Sequence, residues 1–159
     1  MAVNPEVLTA LSAGISAEVA SYVFYLEASK RPEAAEYKKT LEDLAAEEKR
    51  HFHILERQHS SLVRSEQWIS TADVLKAEGL PDISEEMAAS HKELVERVRA
   101  ADSLKTILDI AYQLEVDARD MFAAQIDKTK SDEGRKMFTE LTKFEEGHMR
   151  MIDRMRQKL

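Results

Sequence analysis

Two short stretches of this sequence could do chemistry together. EEKRH at 47–51 and EEGH at 145–148 each set a glutamate three residues before a histidine: Glu48 with His51, and Glu145 with His148. Thirty residues before each of those glutamates stands another, Glu18 and Glu115, so the spacing Glu, Glu, His occurs twice with an offset of 97. Side chains three apart on a helix lie on one face, one turn apart, so a carboxylate and an imidazole placed this way reach a single ion. Oxygen and imidazole ligands without sulfur suit iron or manganese, with zinc as a substitute. The charges also close. Four glutamates and two neutral imidazoles are balanced by two divalent cations, whereas one unmatched buried charge costs several kcal/mol.

The plainer alternative is that these six are interior salt-bridging residues, and a lone Glu-x-x-His pair is weak evidence against it. Glu56 and His59 form a third such pair and serve as a control. Shifted by 97 they land on Asp153 and Arg156, and His59 lies off the apolar stripe. His53 and His91 have no carboxylate three residues earlier. These three histidines are expected to face solvent.

The elements that must position the six follow from apolar spacing. Leu41, Leu44, Glu48, His51 and Leu55 share the three-four stripe that a bundle helix buries. A first helix opens at Asn4-Pro5, with Asn as cap and Pro at the first position. It carries Leu8, Leu11, Ile15, Glu18, Tyr22 and Tyr25 to about Ser29. Pro32 makes the turn, and a second helix is predicted over 33–59. Asp102 or Ser103 caps a third, with Leu104, Leu108, Ala111, Glu115, Ala118 and Phe122 inward. Ser131 or Asp132 caps a fourth, with Phe138, Leu141, Glu145, His148, Ile152 and Met155 inward. The offset of 97 carries Leu41 to Phe138, Leu44 to Leu141, Leu55 to Ile152 and Tyr25 to Phe122, so the chain reads as two helical hairpins of one design. Residues 60–101 read as a crossover: a short helix in STADVLK ended by Gly79 and Pro81, an amphipathic helix from Ser84 bearing Met87, Ala88, Leu94, Val95 and Val98, and Trp68 as a packing anchor.

The expected fold is therefore an all-α four-helix bundle in one domain over 1–159. Hairpins at 4–59 and 102–158 are joined by a connection long enough to leave helices 2 and 3 parallel. Tyr25 and Tyr112 lie one or two turns from Glu18 and Glu115 on the inward side. Either would donate a hydrogen bond or relay an electron there, or simply pack.

The chain's 159 residues suit a single core. Hydrophobic residues at 43%, charged residues at 33%, four Gly and three Pro favour helices over β-turns. A net charge of −7 without a basic stripe disfavours nucleic acid and anionic membranes as partners. No run approaches the roughly 18 consecutive apolar residues of a membrane span, and MAVNPEVL lacks the form of a secretion signal. Cysteine is absent, which excludes disulfides, thiolate metal sites and a catalytic thiol. The cytoplasm is the default setting, and paired hairpins make a homodimer the expected assembly, including one that exchanges helices.

At Glu18 with Tyr25, EEKRH, LEVDARDMF and EEGHM, the sequence resembles the ferritin-like superfamily and specifically its rubrerythrin-like branch. The resemblance covers the four long helices and is weakest over 60–101. It implies an up-down-down-up bundle and two non-haem iron ions. It also implies redox chemistry with O2, H2O2 or Fe²⁺, or iron storage with oxidation as its entry step. Glu48 and Glu145 would bridge the ions, with Glu18 and His51 completing one and Glu115 and His148 the other. The chain departs from the family twice. Rubrerythrins usually add a four-cysteine rubredoxin-type domain; without cysteine, electrons must come from an external donor. Ala118 stands where rubrerythrins have an additional Glu, which leaves a six-ligand set closer to that of bacterioferritin, although Lys49 replaces the bacterioferritin haem-ligating Met. A different class of reading is a metal-free helical interaction module that uses the outer faces of 60–101.

Overall fold

The computed structural model describes residues 3–77 and 79–159. Its helices are α1 (Pro5–Ser29), α2 (Lys38–Ser65), α3 (Thr71–Lys76), α4 (Glu85–Ala89), α5 (Lys92–Ala100), α6 (Leu104–Ile126) and α7 (Asp132–Gln157), and no strand occurs among the described residues. Side-chain caps start most of them. Asn4 Oδ1 accepts from Glu6 N at 2.9 Å, Ser103 Oγ from Thr106 N at 3.2 Å and Ser131 Oγ from Gly134 N at 3.3 Å. Each satisfies an amide that the first turn would otherwise leave open. Where the sequence offered two candidate caps, the serine takes the role in both helices.

The second helix departs from its expected bounds at both ends. Pro32–Tyr37 forms a 3₁₀ turn, and the α-helix starts only at Lys38, without a side-chain cap. It then runs past His59 to Ser65 and ends at Glu66, whose φ of 57° is left-handed. The helix from Ser84 is broken at Ser90-His91 into α4 and α5.

α1 and α2 form one antiparallel hairpin and α6 and α7 the other, with α1 against α6. The two hairpins and parallel middle helices expected from the spacing, up-down-down-up as the resemblance implies, are the observed architecture. The crossover is tied down by Gln58, whose side-chain amide bonds both the backbone N and O of Ile69. From there α4 and α5 pack on the outer side of α1, where Arg99 Nε meets Glu27 Oε1 at 2.6 Å. This second cover explains why α1 buries Val19, Ala20 and Phe24, while the predicted Leu8, Ile15 and Tyr22 are half-buried. By length and composition α1 reaches the apolarity of a membrane span, which the sequence reading did not anticipate. In the fold it is a bundle helix with Glu18 buried at its centre.

The core divides into two apolar layers. One gathers Phe24, Tyr25, Leu41, Leu44, Leu108, Ala111 and Ile152; the other gathers Leu11, Ile54, Leu55, Phe122, Phe138 and Leu141. The positions of Glu18, Glu48, Glu115 and Glu145 fall between them. Fully burying each large apolar side chain contributes roughly 1.5–3 kcal/mol, so the layers offset what a polar layer costs. Trp68 is the anchor the sequence suggested, its ring edge-on to Phe138 at 6.4 Å between centroids.

Gly134 is required beneath it. A Cβ there would meet Thr129 Cγ2 at 2.6 Å and Trp68 Cζ2 at 2.8 Å. Gly134→Ala gains at most about 1 kcal/mol of helix propensity and incurs about 1–3 kcal/mol of overpacking. A net loss of stability in urea denaturation is the expected result.

Candidate metal centre

The structure brings all six predicted side chains to one level of the bundle. Glu18, Glu48, Glu115 and Glu145 are 0–1% exposed, and His51 and His148 are 4% exposed. Each helix delivers its residues through the register already described: α1 gives Glu18, α2 gives Glu48 and His51, α6 gives Glu115, and α7 gives Glu145 and His148.

Ligand atoms fall into two groups, Glu18, Glu48, His51 and Glu145, and Glu48, Glu115, Glu145 and His148. Within each, one atom per residue lies within 4.8 Å of the others. His51 Nδ1 is 3.2 Å from Glu145 Oε1 and 3.6 Å from both Glu18 Oε2 and Glu48 Oε2. His148 Nδ1 is 2.9 Å from Glu48 Oε1, 3.4 Å from Glu115 Oε2 and 3.7 Å from Glu145 Oε2. Glu48 and Glu145 belong to both groups.

The electrostatics are those of buried acids and imidazoles that shift one another strongly. Burial, then the charges of Glu145 and Glu48, hold Glu18 well above the ordinary carboxylate range. Burial and Glu48 do the same to Glu115. Burial also opposes charge on Glu48 and Glu145, but the neighbouring carboxyls, Glu18 and Glu115, and then the histidines prevail. Glu48 is lowered well below the usual range and Glu145 to about 2. His51, against the cost of burial, is raised to about 9 by Glu145 and Glu48, and His148 is raised as well by Glu115 and its other carboxylate neighbours. Two imidazoles that favour their protons thus face two carboxyls held upward and two held downward.

Hydrogen bonding leaves a residue of unmet demand. Both oxygens of Glu18 and Oε2 of Glu48, Glu115 and Glu145 are buried without a hydrogen-bond partner. Such atoms are uncommon in a folded interior and call for a ligand. Dinuclear carboxylate centres are built from this donor set, so the residues fit a pair of divalent cations.

Tyr25 reaches the centre: its hydroxyl donates to Glu115 Oε1 at 2.6 Å, and burial with the Glu115 charge keeps the phenol well above its usual pKa. Tyr112 does not. It is half-buried, with the Arg156 guanidinium 4.0 Å over its ring. The inward row of α6 runs through Ala111 and Glu115, and residue 112 lies one step round the helix. The three control histidines are also corrected, since each is half-buried and not open to solvent. His53 Nε2 bonds the Pro81 carbonyl at 2.9 Å.

Two residues that touch the centre escaped the sequence reading. Glu47 Oε2 accepts from His148 Nε2 at 2.6 Å, and the Phe144 ring lies 5.1 Å from that of His51. Both sit off the buried stripes, so apolar spacing could not find them, but each is one residue before a predicted ligand and the two are related by the offset of 97. A cavity of about 90 Å³ opens beside His51, lined by Glu47, Arg50, Ile54, Leu75 and Phe144.

A family model described as rubrerythrin matches residues 9–156. No curated protein and no solved structure matches the chain.

Proposed function

Because this chain belongs to the rubrerythrin family, we propose that its buried cluster holds two non-haem iron ions and that the protein is an oxidoreductase acting on O2, H2O2 or Fe²⁺. The observation that carries this reading is the convergence of six ligand side chains whose carboxylates retain five buried oxygens without a donor. Manganese or zinc would occupy the same ligands. When bound, the iron pair supplies two electrons to an oxidant.

The chain's own residues supply the rest. Glu48 and Glu145, common to both ligand groups, would hold both ions, with Glu18 and His51 completing one set and Glu115 and His148 the other. Tyr25 fixes Glu115 and keeps its own proton. The apolar layers on either side exclude water, which strengthens every charge interaction within. The cavity beside His51 has room for an oxidant of two heavy atoms. An external electron donor, a homodimeric assembly and a cytoplasmic setting belong to the same reading. Half-exposed Phe144 with Leu75 on one face supports the homodimer.

The test is consumption of O2 and of H2O2 by protein loaded anaerobically with Fe²⁺, set against Glu145→Gln. Oxidant loss in proportion to bound iron, absent in the variant, is the expected result; equal consumption by both contradicts the proposal.

Glu18 separates stability from function. Without metal its two oxygens are buried and unpaired, so Glu18→Leu is expected to stabilise the metal-free protein by roughly 1–3 kcal/mol while reducing metal capacity from two ions to one. Urea denaturation in EDTA and metal analysis measure the two effects.

A further inference from the structure

The duplicated design is broken at two places around the centre, and both breaks favour the same half. Tyr25 donates to Glu115 at 2.6 Å. The residue that the offset of 97 sets in the corresponding place beside Glu18 is Phe122, which has no donor. Its ring lies over Gly14, one turn before Glu18, and both Glu18 oxygens are without a partner. The second break concerns the imidazoles. His148 presents Nδ1 to the carboxylates and gives Nε2 to Glu47 at 2.6 Å. The related contact of His51 is to the phenyl ring of Phe144. One half therefore has a tyrosine behind its glutamate and a carboxylate behind its histidine; the other has phenylalanine in both places.

Partners behind the ligands fix ring orientation and raise ligand basicity, and their loss typically weakens metal binding about 10- to 100-fold. A carboxylate behind an imidazole also stabilises the charge that the bound cation draws from the ring. A small cavity opens at the other histidine and is also lined by Glu47, and the two imidazoles are equally buried.

Resting on the reading of the cluster as a two-cation centre, we propose that its halves are unequal: the first cation binds at Glu115 and His148, held in place by Tyr25 and Glu47, and the second binds more weakly at Glu18 and His51. The Glu18 carboxyl, which no tyrosine holds, is then the one that can move as the second cation enters and leaves.

The experiment is titration of the metal-free protein with Co²⁺, followed by calorimetry, with anomalous scattering from crystals grown at one equivalent. Two resolved steps at least tenfold apart are expected, with the single-equivalent peak beside His148. Tyr25→Phe and Glu47→Gln should each weaken the first step about 10- to 100-fold and leave the second near its original value, while Phe144→Glu should tighten the second. A peak beside His51, two equal peaks, or steps unmoved by these substitutions would overturn the inference and leave the two-cation reading intact. No Co²⁺ binding at all would overturn both. The diffraction result on the unaltered protein decides the question even if a variant fails to fold.

Discussion

Replacing Glu48 by alanine is expected to empty both cation positions at once. Its Oε1 lies 2.9 Å from His148 Nδ1 and its Oε2 3.6 Å from His51 Nδ1, so one carboxylate serves both ligand groups, as Glu145 does from α7. Glu18 and Glu115 serve one group each, and removing either should leave one ion bound. The readout is the rise in melting temperature on adding Mn²⁺ or Zn²⁺. Each site that binds only the folded state contributes about 4 kcal/mol when free metal exceeds Kd a thousandfold. That increment should vanish in Glu48→Ala. The substitution also removes one counter-charge shared by two buried imidazoles, and breaking a buried pair typically costs about 3–5 kcal/mol. Glu48→Gln, which keeps the volume and one acceptor, is therefore the companion variant and should lose the metal increment with a smaller loss of stability. Glu56→Ala and His59→Ala, which dismantle the third Glu-x-x-His pair, should leave metal binding unchanged.

The second large effect is a pair of opposed pH dependences. In the metal-free protein the folded state holds protons that the unfolded chain gives up. His51 titrates near 9 when folded and near its ordinary value of 6.5 when unfolded, and Glu18, Glu115 and His148 are displaced upward as well. Wherever the folded state binds more protons, stability falls as pH rises. The contribution of His51 is complete below about pH 6.5 and lost by about pH 9. For a shift of this size it is on the order of 3 kcal/mol. Cations compete with protons for the same side chains, so metal affinity rises with pH. Between pH 6.5 and 9 the melting temperature of EDTA-treated protein should fall while the increment from added metal grows. Scanning calorimetry with and without Zn²⁺ measures both. A metal-free melting temperature that climbs across this window, or an increment indifferent to pH, would contradict the protonation states described here.

Much of this was legible because two periodicities coincide. The three-four stripe places Glu48 and His51 among leucines, and the offset of 97 repeats that stripe in α7, so burial of all six ligands could be read without a structure. Helix starts were legible where a serine or asparagine caps them and not at Lys38, where a 3₁₀ turn hands over to α2 with no side-chain signal. The break at Ser90-His91 was hidden for a similar reason, since the apolar face continues across it from Met87 to Leu94. What stripes cannot convey is the neighbourhood of a residue on their edge. Tyr112 is one step round the helix from the inward row and ends under Arg156, whereas Tyr25, on its row, finds Glu115 from the opposite hairpin. Glu47 and Phe144 are off the stripes altogether, and their contacts with His148 and His51 depend on how closely α2 and α7 approach.

The most direct measurement of the central claim is the iron content of protein incubated anaerobically with excess Fe²⁺ and freed of unbound metal by gel filtration. Two irons per chain in the unaltered protein and essentially none in Glu48→Ala is the expected result. Fewer than one iron per chain, or an equal amount retained by the variant, would contradict it.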